Sequence, residues 1–168
     1  MQNSKSFLRA LGAGVLMLFA LQAAAQDRVA PFVKERKTDV WINAGLLSYH
    51  LNRSKNYREF NYGLGAEAVV SPNHAFMAGT YMNSESQQSN YLGYQYRPFH
   101  WQPGGWDVSA GVAVSLIDGY PSMSNKGWFI APFPIVAVEG KRLGANFMLI
   151  PNFKHGGAFA MQLKLKVW

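Results

Sequence analysis

The sequence predicts an all-β protein, an eight-stranded antiparallel transmembrane barrel of the up-and-down type. Three observations predict it. After residue 39 the chain falls into short segments in which apolar and polar side chains alternate with period two, separated by turn residues. There are eight such segments, each about as long as a tilted strand needs to cross a bilayer, and an even number brings both ends of the barrel to one side. The more polar face of the alternation carries charges that a water-soluble barrel would not bury, so the apolar face is expected outward, against lipid.

The N-terminus is expected to be a cleaved secretory leader covering 1–25. Lys5 and Arg9 form a basic n-region, Ala10 to Leu21 an apolar stretch, and Ala23-Ala24-Ala25 a small-residue cleavage site before Gln26. The apolar stretch is too short for a membrane anchor. Residues 26–39 are then a short periplasmic segment, and 40–168 the barrel. Beyond the leader, 14 Lys and Arg face 9 Asp and Glu, a net charge of +5. In an exported protein this favours anionic lipid over nucleic acid as the partner. Cysteine is absent, so the fold uses no disulfides.

The strands are expected at about 40–50, 60–70, 74–83, 90–98, 106–118, 128–138, 142–151 and 158–168. The fifth shows the alternation best, with Trp106, Val108, Ala110, Val112, Val114 and Leu116 on one face and Asp107, Ser109, Gly111, Ala113 and Ser115 on the other. The eighth sets Phe159, Met161, Leu163, Leu165 and Val167 against Ala160, Gln162, Lys164 and Lys166. Trp168 falls in phase with the lysines, unlike the terminal aromatic usual in such barrels. Strand six, interrupted by Pro132 and Pro134, has no readable phase. The connections at Ser71–Asn73 and Glu139–Lys141 are tight, and the one at Phe99–Gly105 is rich in Pro and Gly. Those at 51–59, 84–89, 119–127 and 152–157 are longer and are expected outside the cell. Two aromatic girdles are expected, Trp41, Tyr96, Trp101 and Trp106 below and Tyr49, Tyr62, Tyr81, Tyr91 and Trp128 above.

Ordering the inward residues by height divides the lumen. Gly63, Gly65, Gly93, Gly111, Ala113, Met148, Ile150, Ala158 and Ala160 line the upper half and leave room for an acyl chain. Glu67, Gln95, Arg97, Asp107, Asn146, Gln162, Lys164 and Lys166 form a polar plug below. The alternative is that larger residues of strands one and six fill the upper half. At the outer rim the topology gathers His50, the run Asn83, Ser84, Glu85 and Ser86, and Asp118. A histidine, a hydroxyl and a carboxylate suffice for acyl transfer, with His50 as base and Ser84 as nucleophile or hydrogen-bonding partner; an ordinary polar rim is the alternative. His74, His100 and His155 show no metal-ligand spacing, and no metal or cofactor is expected. Arg53, Lys55, Arg58, Lys126 and Lys154 place cations on the outer loops.

Several segments, taken in order, resemble the lipid A palmitoyltransferase (PagP) family. They are Tyr49-His50, Asn61-Tyr62-Gly63-Leu64-Gly65, His74-Ala75-Phe76-Met77-Ala78, Asn83-Ser84, Leu92-Gly93-Tyr94, Phe129-Ile130-Ala131-Pro132-Phe133-Pro134-Ile135 and Ile150-Pro151. The resemblance implies transfer of a palmitoyl chain from a phospholipid to lipid A in the outer membrane of a Gram-negative bacterium, by a protein expected to be a monomer. It puts His50 and Ser84 in the catalytic set and Asn83 in the place of the family's Asp, with Glu85 or Asp118 as compensating acids. It makes Pro132, Pro134 and Pro151 lateral-gate residues, with Gly45 where a strand-one proline is expected. Gln95 stands in the place of the pocket-floor glycine, which implies a shallower pocket. The rival readings are a non-enzymatic lipid-binding or structural barrel and, third, a lipid A deacylase.

Overall fold

The computed structural model describes residues 38–151 and 157–168. The leader, most of the segment before strand one, and Lys154 and His155 lie outside the described residues. Eight strands form a closed antiparallel barrel in sequence order, β8 pairing back to β1. They are β1 Asp39–His50, β2 Phe60–Ser71, β3 His74–Met82, β4 Gln88–Trp101, β5 Asp107–Ile117, β6 Phe129–Glu139, β7 Leu143–Ile150 and β8 Ala158–Lys166. All eight expected strands form. β4 is longer than expected at both ends, and the turn after it closes on a 3-10 turn at Pro103–Gly105. The loop after β5 contains one short helix, α1, Pro121–Ser124. The strand ends near the two chain termini share one rim with the short turns, and the long loops gather at the other.

The alternation turns inside out relative to a water-soluble barrel. Phe76, Leu92, Val114, Ile130, Phe147 and Leu163 project outward and are exposed, whereas Glu67, Arg97, Glu139 and Lys164 are buried in the lumen. β6 resolves its phase in the same sense: Phe133, Ile135, Ala137 and Glu139 point inward, and Pro132, Pro134 and Val136 outward. Trp168 also finds its account. The N–H groups of Val167 and Trp168 both reach the carbonyl of Val40, at 2.8 and 3.2 Å. Two residues share one acceptor, a bulge that breaks the alternation. Trp168 therefore turns outward, 75 % exposed, instead of following Lys164 and Lys166 inward.

The lower lumen is an ionic plug. Lys164 Nζ donates to Glu67 and Glu139 at 2.6 Å each, Arg97 lies 3.2 Å from Glu139 and 3.8 Å from Glu67, and Asn146 and Gln95 donate to the second Glu67 oxygen at 2.6 and 3.3 Å. Two carboxylates face two cations, so the cluster is neutral. Such groups are costly to bury singly and tolerable only as a connected set. Trp41 belongs here, not to a girdle: it is 1 % exposed, with Lys164 Nζ 5.0 Å from its ring centre. Tyr81 and Tyr91 likewise leave the expected upper girdle and lie inside the barrel.

Candidate functional site

Above the plug lies a cavity of about 380 Å³ that opens at the long-loop rim. Its wall is mainly apolar, with Leu46, Ile117, Phe133, Met148, Ile150 and Ala160 among the lining residues, and its mouth carries Ser48, His50, Tyr57, Ser84, Glu85 and Ser122. Of the nine residues expected to line the upper half, Met148, Ile150, Ala158 and Ala160 do so, whereas Gly63, Gly65, Gly93, Gly111 and Ala113 do not, nor does Gln95. The glycines of β2 and β4 do not leave open space; they make room for neighbouring side chains. A Cβ on Gly63 would meet Tyr81, one on Gly65 the Tyr91 hydroxyl, and one on Gly93 Met77 and Ser115. Gly111 sits at a bulge, where its Cα faces the carbonyl of Tyr96. Ala113 is fully buried within the apolar cluster that includes Phe133 and Ile135. Gln95 belongs to the plug: Met77 lines the cavity above it and accepts from its amide at 3.3 Å. The open volume thus lies toward β1 and β5 to β8. Larger residues do fill part of the upper lumen: Met77, Tyr81 and Tyr91 of β3 and β4 and, as the alternative had it for strand six, Phe133 and Ile135 of β6 share one buried cluster, with Leu46 of β1 packed against it.

The barrel wall has one loosened seam beside this cavity. β6 and β7 pair from Glu139↔Gly144 only up to Ile135↔Met148, so Phe129–Pro134 has no partner on β7. β6 stays paired with β5 throughout, including Val112↔Pro134 and Val114↔Pro132. The missing proline N–H groups therefore fall on the β7 edge, where they leave the ladder unmade. Pro132 and Pro151 line the cavity, and Pro134 lies in a shallow outer groove with Phe147, Leu149 and Phe159. Gly45 marks no such seam. The β1–β2 ladder continues past it to Leu47↔Phe60, and Ser48 N–H bonds to the Glu59 carbonyl at 2.8 Å. β2 bulges against Gly45 so closely that a Cβ there would overlap the β2 backbone.

The rim residues converge in part. His50 ends β1, its ring 4.7 Å from that of Tyr57, and its Nδ1 is buried without a hydrogen-bond partner. Ser84 comes to the same mouth because its carbonyl accepts from Arg58 N–H at 2.9 Å, tying the 83–87 turn to the 51–59 loop. Asn83 has another task. Its Nδ2 donates to Ser89 Oγ and the Gly119 carbonyl, both at 2.9 Å, and its Oδ1 accepts from Glu85 N–H at 2.9 Å and Gln87 N–H at 3.0 Å. Every polar valence of the amide is used in holding two loops together. The Asp118 carboxylate is taken up by Asn90 of β4, accepting from its backbone N–H and, at 3.0 Å, from its side-chain amide. Glu85 faces the cavity but accepts from the Ser122 N–H at 3.1 Å and from its hydroxyl.

The carboxylate bonded to the backbone of His50 is one that sequence reading missed. Glu59 accepts from the His50 backbone N–H, and its hydrogen bond from Arg53 holds its carboxyl below the ordinary range. Tyr57 and Tyr120 were also missed. Burial, chiefly, pushes both phenols up, with the Glu85 charge adding to it, so they enter the site as neutral hydroxyls. The missed residues lie in loops, where alternation carries no signal. Among the described residues no cluster of three or more His, Cys, Asp or Glu side chains could hold a metal ion. No protein-family model matches the chain, and no curated protein is significantly similar to it.

Proposed function

We propose that this protein is an outer-membrane acyltransferase that moves an acyl chain from a phospholipid to lipid A. The observation that carries the reading is the cavity itself: an apolar chamber, sealed below by the ionic plug, unpaired at the β6–β7 seam, with His50 and Ser84 at its mouth. A continuous apolar exterior around a charged lumen favours insertion in a bilayer, because exposed apolar surface of that extent is a liability in water. A phospholipid chain enters sideways through the seam, and its ester comes to rest at the rim. His50 takes the proton of an acceptor hydroxyl as that oxygen attacks the ester carbonyl. It returns the proton to the leaving glycerol oxygen, so that a lysophospholipid departs. Ser84 supplies a hydrogen bond to the carbonyl oxygen as it gains charge. Glu59 accepts from the His50 backbone N–H and so helps fix the end of β1 that carries the imidazole.

A non-enzymatic lipid-binding barrel is the second reading, and the bonding of Asn83 favours it: the amide does not stand in for an acid against His50. Mass spectrometry of lipid A from cells with the gene, without it, and with His50→Ala separates the two. The transferase adds one acyl chain only with intact His50, and a mass loss would indicate a deacylase. Equal spectra from all three strains, with the barrel present in the outer membrane, would leave the binding barrel.

A further inference from the structure

The β1–β2 hairpin crowds positive charge onto one side of the outer rim. Residues 51–59 carry Arg53, Lys55 and Arg58 against Glu59 alone, three cations to one carboxylate and so a net +2. The outer turns at 83–87 and 119–127 together hold one cation, Lys126. Both arginines lean on the outside of the barrel wall. The Arg53 guanidinium lies 4.9 Å from the ring centre of Tyr49, and that of Arg58 lies 5.4 Å from the ring centre of Tyr62. The two rings are exposed and belong to neighbouring strands, β1 and β2. Tyr62 stands four residues further down β2 than Arg58, so guanidinium and ring meet on the lipid-facing wall. The backbone beneath them is fixed. Arg58 N–H donates to the Ser84 carbonyl at 2.9 Å, and Asn52 Oδ1 accepts from Ser54 N–H at 3.0 Å, closing the turn that carries Arg53.

We propose that Arg58, with Arg53 beside it, forms a site on the outside of the barrel for a phosphate group of lipid A. This rests on the outer-membrane placement of the reading above, not on turnover. A guanidinium stacked on a ring uses one face of its plane and keeps its N–H edge free, the fork that grips phosphate oxygens. The ring also steadies the side chain, so less rotamer freedom is lost on binding. Arg53 is ion-paired with Glu59, whereas among the described residues no carboxylate lies within ion-pair distance of Arg58. Arg58 is therefore the charge left to be neutralised. Its place fits an amphiphile: Phe60 and Leu64 continue the outward face of β2 as exposed apolar surface on which acyl chains pack. The net charge of the hairpin selects among amphiphiles. Lipid A brings two phosphates, whereas a zwitterionic phospholipid brings no net charge to meet it.

The test reads binding, so that it does not depend on turnover. The full protein, folded in detergent, is offered an equimolar mixture of bisphosphorylated lipid A, phosphate-free lipid A with the same chains, and phosphatidylglycerol, and the retained lipids are weighed by native mass spectrometry. Wild type should retain bisphosphorylated lipid A best. Arg58→Gln should cut that retention about tenfold or more, the loss of a charge-assisted bond to phosphate. Arg58→Lys should restore only part of it, because an ammonium keeps the charge but neither the fork nor the stacking. Tyr62→Leu, which keeps the wall apolar but removes the ring, should also weaken retention, and decides alone if Arg58→Gln does not fold. Lys126→Gln, which takes a charge from another outer loop, should change nothing. Equal retention of phosphate-free lipid A overturns the inference. So does a loss for Lys126→Gln as large as for Arg58→Gln, or phosphatidylglycerol held as well as lipid A and lost along with it. Arg58-dependent binding without acyl transfer in cells would defeat the transferase reading alone; acyl transfer to lipid A with retention indifferent to Arg58 would defeat this site alone.

Discussion

Asn83→Asp is an isosteric change that separates two views of the rim. If Asn83 replaces a catalytic acid, restoring the carboxylate should speed turnover. The bonding predicts the opposite. Asp keeps the two bonds from the Glu85 and Gln87 N–H groups but loses both donations, to Ser89 Oγ and to the Gly119 carbonyl. The Ser89 hydroxyl already donates to the Asp118 carbonyl at 2.6 Å, so turning it toward the new carboxylate would orphan that oxygen. The Gly119 carbonyl would face a like partial charge at hydrogen-bond distance, and the whole arrangement is buried, Asn83 being 0 % exposed. Two lost bonds and one unsatisfied buried acceptor sum to about 2–4 kcal/mol. Urea titration of the protein in lipid vesicles should show that loss as a lower midpoint at unchanged slope. The loss should shrink as pH falls: burial among acceptors raises the folded-state pKa of the new carboxyl, so protonation favours the folded form. Wild-type stability together with faster acyl transfer would refute this account of Asn83.

His50→Ala should abolish lipid A acylation while the barrel still shows the heat-modifiable mobility of a folded membrane barrel, read by gel shift and mass spectrometry together. Gln95→Gly should leave the chain-length optimum where it is, because the residue lies under Met77, yet cost about 1–3 kcal/mol by removing a donor to buried Glu67. Lys164→Met should be the most damaging plug variant, about 3–5 kcal/mol by urea titration, since it leaves two buried carboxylates with Arg97 alone.

Alternation along the chain was enough to predict eight strands, their order, the inverted polarity of the barrel and the end at which His50, Ser84 and Glu85 meet. A pleated strand forces successive side chains to opposite faces, so these properties are written locally. What the alternation could not convey is which inward residues touch. Gly65 and Tyr91 belong to strands that are not neighbours, and only closure of the barrel lays one over the other, turning expected empty space into filled space. The phase of β6 was hidden because its outward positions include prolines, and the seam beside it depends on which edge lacks donors, a property of the pairing. Asn83 is the sharpest case. The resemblance implied a replaced acid, but its four partners come from its own turn and from Ser89 and Gly119. The role of a polar side chain follows from the groups that occupy its hydrogen-bonding directions, and three-dimensional packing alone brings those together.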